Sequence, residues 1–233
     1  MFILKFIKWC IIAFLASTIL AVLIYKWMPI PFTPLMGIRY IQSISNKERP
    51  ILSHKWISLE EMPSQLPLAV IASEDQHFMQ HHGFDFDAIK DAMKEKENGG
   101  RQRGASTISQ QTAKNVFLWP SASWLRKGLE AYFTILIELL WSKERIMEVY
   151  LNSIEMGKGI YGIKAVANAH FNKLPQELRR RDCALIAATL PNPLKYSSKN
   201  PSPYMQKRQQ KILREMRNIE SSCGWNYQSQ VIK

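Results

Sequence analysis

The chain is predicted to be mainly α, with one membrane-crossing helix in front of a single catalytic-sized domain. Three observations predict this. Apolar residues recur at steps of three and four between capping residues and Pro or Gly stops, no two segments alternate as partnered strands would, and no block repeats. At 233 residues the chain is long enough for one domain with a core and too short for two enzyme domains plus linkers.

The first element is apolar. From Trp9 to Tyr25 no residue is charged, and Lys8 and Lys26 bracket a run at the short end of what spans a bilayer. Lys5 and Lys8 can snorkel, which extends the span towards Met1, and Trp9, Tyr25 and Trp27 stand where interfacial aromatics are expected. An uncleaved anchor over residues 1–28 fits better than a cleaved signal peptide, because no small-x-small site precedes Trp27-Met28-Pro29. Lys5, Lys8 and the terminal amine favour a cytoplasmic N-terminus, against a modest opposite bias from Lys26 and Arg39.

Residues 29–50 read as a linker. Pro29, Pro31 and Pro34 predict a stiff, non-helical exit, followed by a polar connection from Gln42 to Pro50, so the folded unit is expected over residues 51–233. Pro67 suits the first turn of a helix that ends at Glu74. Asp85 suits the cap of the next helix, with Phe86, Ile89 and Met93 on one face and a stop at Asn98-Gly99-Gly100. The stretch NGGRQRG predicts a basic loop able to close over an anionic ligand through Arg101 and Arg103. Thr107 and Gln110 form a capping box, so a helix starts there with Gln110 and Lys114 on one face.

From Trp124 to Trp141 the run is apolar nearly all round, which predicts a helix buried in the centre of the domain. Ser142 can start another helix, carrying Ile146 and Val149. A glycine-rich loop follows (Gly157, Gly159, Gly162), then a helix from about Asp182 to Leu190 stopped by Pro191 and Pro193. The last helix begins near Pro203, with Met205, Ile212, Met216 and Ile219 on one face and Lys207, Lys211 and Arg214 on another. It reads as a packed surface helix, with an anionic membrane surface as the other use of its basic face.

The net charge of +12 calls for an anionic partner: nucleic acid, an anionic membrane or a phosphorylated substrate. Charge alone does not choose. Cys10, Cys183 and Cys223 have no metal-ligand spacing, and Cys183 reads as a small core residue.

Two polar segments concentrate chemistry: Glu74 to Asp85 (EDQHFMQHHGFD) and Gly104 to Asn115 (GASTISQQTAKN). Glu74, at a helix C-terminus beside Asp75, is expected to have a raised pKa from the helix dipole and the like charge, which suits a general base. Glu130 has Arg126 and Lys127 one turn before it, and that spacing by itself describes a structural ion-pair cluster. Ser106, Thr107, Gln110, Gln111, Lys114 and Asn115 describe a capped helix with a polar face, which is also an anion site. His81, close to Gly83, reads as structural.

These residues resemble the peptidoglycan glycosyltransferases of family 51. The first segment is similar to their E-D-x-x-F-x-x-H-x-G-F-D motif and the second to G-x-S-T-x-x-Q-Q-x-x-K-N. Arg126, Lys127 and Glu130 resemble R-K-x-x-E, while KERIMEVYLN (Lys143 to Asn152) and EMGKGIYG (Glu155 to Gly162) resemble the fourth and fifth blocks. The resemblance covers roughly Leu68 to Pro193. It implies a lysozyme-like, two-lobed domain whose smaller lobe associates with the membrane, sited on the periplasmic side of a bacterial inner membrane. It also implies polymerisation of lipid II onto a growing glycan strand, with release of polyprenyl diphosphate and inversion at the sugar.

By the same resemblance Glu74 is the base and Glu130 helps at the diphosphate. Asp75, Phe78, Arg101, Arg103, Gly104, Ser106, Thr107, Gln110, Gln111, Lys114, Asn115, Arg126, Lys127, Asn152 and Glu155 bind or position substrate. No cofactor is obligatory and no metal ligands are assigned, although a divalent metal (Mg or Mn) bridging Glu130 and the diphosphate is compatible. Partners are membrane lipid and other cell-wall synthesis proteins, not nucleic acid. Three positions depart from the pattern: Ala122 replaces a usual arginine, which leaves Arg101, Arg103 or Lys127 to compensate, and Val166 and His170 replace an alanine and an aromatic residue. A lysozyme-like lytic enzyme and a catalytically weak membrane scaffold remain as alternatives.

Overall fold

A computed structural model describes residues 2–99 and 104–225, so Arg101 and Arg103 lie outside the described residues. The chain is mostly helical, as expected. Helix α1 (Phe2–Tyr25) has 24 residues and is therefore roughly 36 Å long, enough for a hydrocarbon core of about 30 Å. Among the described residues it is the one helix long and apolar enough to cross a membrane, consistent with a single-pass anchor.

The exit from α1 differs from expectation. Only residues 29–33 are extended, and Pro34 opens helix α2 (Pro34–Ser45), with the Thr33 hydroxyl accepting from Met36 N–H. Pro34 starts a helix because its fixed φ suits the first helical position, where the missing N–H has no intrahelical partner to lose. Helix α2 takes in the first part of the expected polar connection and packs on α5 (Ile108–Phe117).

Helix α3 (Gln65–Glu74) is the central element. Leu66 through Ala72 are all buried, because α9 (Arg180–Thr189) and α10 (Pro203–Ile219) cover it. Cys183 is one of the core residues of α9, and burial pushes its thiol up to about 12. Met205, Ile212 and Met216 of α10 are buried in the same group, which is the packed role expected of that helix.

A second group joins α5, α6 (Trp124–Leu140) and α7 (Lys143–Ser153). The prediction that α6 is buried on all sides is corrected. Phe133, Thr134 and Ile137 are buried, but Trp124 is 92% exposed and Leu139 75%, because only one face meets protein. A helix apolar all round needs either a deep core or lipid on its free side, and α6 runs beside α1. Helix α4 (Phe86–Glu97), capped by Asp85 as expected, buries none of its residues, so its apolar face also lies open.

Helix α1 is joined to this second group by specific bonds. Thr18 Oγ1 and Tyr132 OH lie 2.7 Å apart, Trp141 Nε1 donates to Val22 O at 2.8 Å, and Arg145 Nη2 donates to Tyr25 O at 2.7 Å. Arg145 thereby satisfies a carbonyl that the end of α1 leaves without a helical partner.

A small sheet contradicts the expectation of no strand pair. Strand β1 (Ser53–His54) is parallel to β3 (Ile160–Tyr161), and β3 is antiparallel to β2 (Glu155–Gly157), in the order β1-β3-β2. Strands of two or three residues are too short for an alternation signal. Helix α8 (Gly162–Val166) follows and runs into one π turn at Ala167–Phe171.

Gly162 connects sheet to helix at φ +76°, and a Cβ there would lie 2.5 Å from Asn152 O. The obstacle is backbone, so no rotamer can relieve it. Gly162→Ala is expected to destabilise the fold by at least about 2 kcal/mol. Urea unfolding of the purified protein checks this, and an unchanged midpoint contradicts it.

Candidate functional site

Asp75 brings the two polar segments together. Its carboxylate lies 2.9 Å from His81 Nε2 and accepts the Ile108 N–H at 2.9 Å. His81 Nδ1 accepts the Gly83 N–H at 3.1 Å, so Nε2 carries the proton given to Asp75. Thr107 Oγ1 donates to Gly83 O at 2.7 Å and, with Gln110, closes the expected capping box at the start of α5. These bonds hold α5 against the end of α3.

One residue before Asp75, the Glu74 side chain is 11% exposed. Its Oε1 accepts from Ser73 Oγ at 2.8 Å and lies 3.6 Å from Arg208 Nη2, which also donates to Ser73 at 3.2 Å. Burial pushes the Glu74 carboxyl above the usual carboxylate range. Ser73, Arg208 and Gln111 pull it back, and Asp75 adds a smaller upward push. The expected direction stands; its main cause is desolvation, with Asp75 the least contributor.

Opposing charges gather on α5 and α6. Arg126 and Lys127 both donate to Glu130, which is 3% exposed. Burial holds the Lys114 ammonium below its usual range, while Glu130 pulls it up and Arg126 and Lys127 push it down, so all four groups share one electrostatic neighbourhood. Three cations against one carboxylate leave a positive wall.

A cavity of about 370 Å³ adjoins this wall, lined by Arg39, Gln111, Lys114, Asn115, Arg126 and Glu155, among others. Gln111 connects it to Glu74, and Tyr150 OH fixes Gln111 by donating to its Oε1 at 3.1 Å. Two polar atoms of lining residues lack a hydrogen bond among the described residues: Asn115 Nδ2, and Arg39 Nε, which has only the longer ion pair with Glu155 at 3.6 Å. A buried donor without a hydrogen bond in a residue that lines a cavity is one a polar ligand could satisfy. Glu155 accepts the Gly159 N–H at 3.1 Å and lies 3.6 Å from Arg39, and burial pushes its carboxyl up.

Not every expected site residue reaches this space. Phe78 is fully buried beneath Lys143, whose Nζ lies 4.7 Å from the ring centre. Asn152 is fully buried and serves the backbone, donating to Ile57 O at 2.9 Å and accepting Ile57 N–H at 3.0 Å. Asp75, Thr107 and Gln110 also act on the frame, while Gly104 and Ser106 are exposed at the entry to α5. Phe78 and Asn152 are each covered by protein, so of binding or positioning substrate it is positioning, through the frame of the cleft, that their burial favours. Both oxygens of Glu130 are engaged by cations, and among the described residues no group of three or more His, Cys, Asp or Glu is placed to hold a metal ion. This donor set does not fit a dedicated divalent site.

Sequence reasoning missed Arg39 and Arg208. Arg208 falls three residues after Met205 and four before Ile212, so the helical period already put it on the packed face of α10. Arg39 gives a weaker signal, since by position it is only a charge beyond the apolar run.

Across residues 41–217 the chain matches the family described as transglycosylase. It is 59% identical to a biosynthetic peptidoglycan transglycosylase of Bacteroides thetaiotaomicron over 92% of this chain and 86% of that protein. Proteins of the same description from Bdellovibrio bacteriovorus (49% identity, 90% of this chain, 84% of that one) and Pseudomonas aeruginosa (48%, 91% and 90%) are also similar.

Because the folded-state pKa of Glu74 exceeds its unfolded value, the folded state binds more protons between the two, and stability falls as pH rises through that interval. Glu74→Gln is thus expected to melt higher than the parent near neutral pH and to lose that advantage below the ordinary carboxylate pKa of about 4. Thermal unfolding across pH checks both signs, and a variant less stable than the parent near pH 7 contradicts them.

Proposed function

We propose, because this chain belongs to the transglycosylase family and is a peptidoglycan glycosyltransferase, that it polymerises lipid II with Glu74 as general base. The observation that carries this reading is the near-buried carboxylate of Glu74, linked through Gln111 to a cavity walled by Lys114, Arg126 and Arg39. A diphosphate is already a good leaving group, so it calls for cations more than for a strong acid. The base must remove a proton from a sugar hydroxyl, and a carboxylate raised by burial is better matched to that task than a solvated one.

In this reading Glu74 takes the proton of the acceptor's GlcNAc 4-hydroxyl, whose oxygen attacks the MurNAc anomeric carbon of the growing chain. The α-linked polyprenyl diphosphate departs and a β-1,4 bond forms, a single displacement that inverts the anomer. Lys114 and Arg126 receive the diphosphate charge. Glu130 holds Arg126 and Lys127 in place and tempers their repulsion, which makes it a positioning residue. Arg39 supplies a cation to the wall from which Ala122 withholds one. Arg208 keeps Glu74 from becoming too basic to ionise.

The anchor reading belongs here as well. The exposed apolar face of α6, set beside α1, supports contact of this lobe with membrane lipid, and Lys5 and Lys8 favour the N-terminus in the cytoplasm with the catalytic domain outside.

The test is purified full chain with lipid II. Long glycan and free polyprenyl diphosphate are expected, whereas clearing of finished peptidoglycan without synthesis, or binding without turnover, overturns the proposal. Glu74→Gln should lower turnover at least about 100-fold, the usual scale for general-base loss. Arg39→Ala should lower it roughly tenfold, in keeping with a hydrogen bond to a charged group. Adding Ala122→Arg to that variant should restore part of the loss, and no recovery places the Arg39 contribution elsewhere.

A further inference from the structure

The three-stranded sheet has a cavity at each edge. Strand β2 gives Glu155 to the cleft cavity, and at the opposite edge, two strand spacings or roughly 10 Å away, Ser53 and His54 of β1 border a second one. It measures about 550 Å³, more than its neighbour in the cleft. Nothing in the proposed reaction uses it.

The charged groups lining it are mostly cations. Lys55, Lys164 and Lys173 stand against one carboxylate, Glu177. Lys173 is held by Asp182 at 2.7 Å, and Glu177 accepts the Leu174 N–H at 2.7 Å. Lys55 and Lys164 have no ion-pair partner among the described residues. Two amides, Asn168 and Asn172, add donors and acceptors, and Asn168 belongs to the π turn, an irregularity frequent at functional sites. The His54 ring borders the cavity but faces the Pro31 and Asn152 backbone, so its polar atoms are turned to protein. Burial holds the His54 imidazole below its usual range, which keeps the ring neutral near pH 7. Ala165, Leu174 and Pro175 complete the lining with apolar surface.

This lining matches a ligand with carboxylates for the two unpaired lysines, peptide groups for the amides and methyl-sized side chains for the apolar surface. A bare phosphate would leave the amides and the apolar surface unused. A nucleic acid would need stacking aromatics, and the lining includes no Phe, Tyr or Trp. We infer that the cavity beside β1 is a second binding site, for a short acidic peptide of the kind that peptidoglycan carries as stems. The identity of the peptide rests on reading the chain as a lipid II polymerase; the cationic, amide-lined cavity does not. A site there would grip the strand one sheet-width from the cleft, so that its next sugar is presented to the reaction already tethered.

The experiment uses the full chain in lipid nanodiscs and a fluorescent stem pentapeptide with free carboxylates, read by anisotropy. The peptide is expected to bind, and Lys55→Glu with Lys164→Glu to weaken it roughly tenfold or more, as does amidation of its carboxylates. If the charge-reversed protein does not melt like the parent, Lys55→Gln with Lys164→Gln decides in its place. Unchanged affinity in a variant that melts like the parent, equal binding of the amidated peptide, or displacement by inorganic phosphate at the peptide's own concentration overturns the inference. Polymerisation of lipid II is measured on the same preparations. Loss of turnover in the parent chain refutes the proposed reaction, whereas lysine-independent peptide binding refutes only the second site.

Discussion

The Asp75 carboxylate is the constraint on which the rest of the site depends. It is 7% exposed and engages two partners far apart in sequence, the His81 ring and the Ile108 N–H. A buried carboxylate needs such partners, since leaving it unpaired costs several kcal/mol. The bond to Ile108 N–H also uses one of the donors that the start of α5 leaves without a helical partner. One charge therefore fixes the end of the central helix to the start of the cationic one. Because Glu74 precedes Asp75 directly and Lys114 lies two turns into α5, that bond sets the position of the proposed base relative to the cations.

Two buried carboxylates show how surroundings divide labour between similar groups. Glu74 is raised because burial outweighs its single guanidinium contact and its hydroxyl bond. Glu130 is buried as well, but both of its oxygens meet cations. Removing one partner of such a pair typically costs about 3–5 kcal/mol, because the remaining charge is stranded. Glu130 is thus bound into the frame of the positive wall, while Glu74, with one cation at 3.6 Å, is left available for the role proposed for it.

Much of this was legible in the sequence, for local reasons. The caps Asp85, Thr107 and Ser142 and the helix-starting Pro203 stand within a residue or two of the helix starts because such signals are contacts between neighbours in the chain. Glu74, Lys114, Arg126 and Glu130 were legible for the same reason and through their resemblance to a known family. What could not be read was set by distant packing. The sheet pairs residues 53–54 with 160–161, too far apart and too short to leave a pattern. Phe78 and Asn152 looked like ligands because polar or aromatic residues inside a motif carry no mark of which way they face. Arg39 is hidden because a proline spaced like Pro34 suits a helix start as well as a helix break, and only packing on α5 decides for the start.

The placement of Arg39 ties the membrane to the chemistry. Arg145 and Trp141 bond the last turn of α1 to the α6–α7 corner, a five-residue extended stretch follows, and Thr33 caps α2 so that it packs on α5. A free tether would let the domain tilt and would carry Arg39 away from Lys114. With both ends held, an arginine that belongs by sequence to the anchor's exit becomes part of the positive wall. In the proposed reaction the diphosphate of a lipid-borne donor would then meet cations that are bonded, through α2 and the end of α1, to the anchor itself.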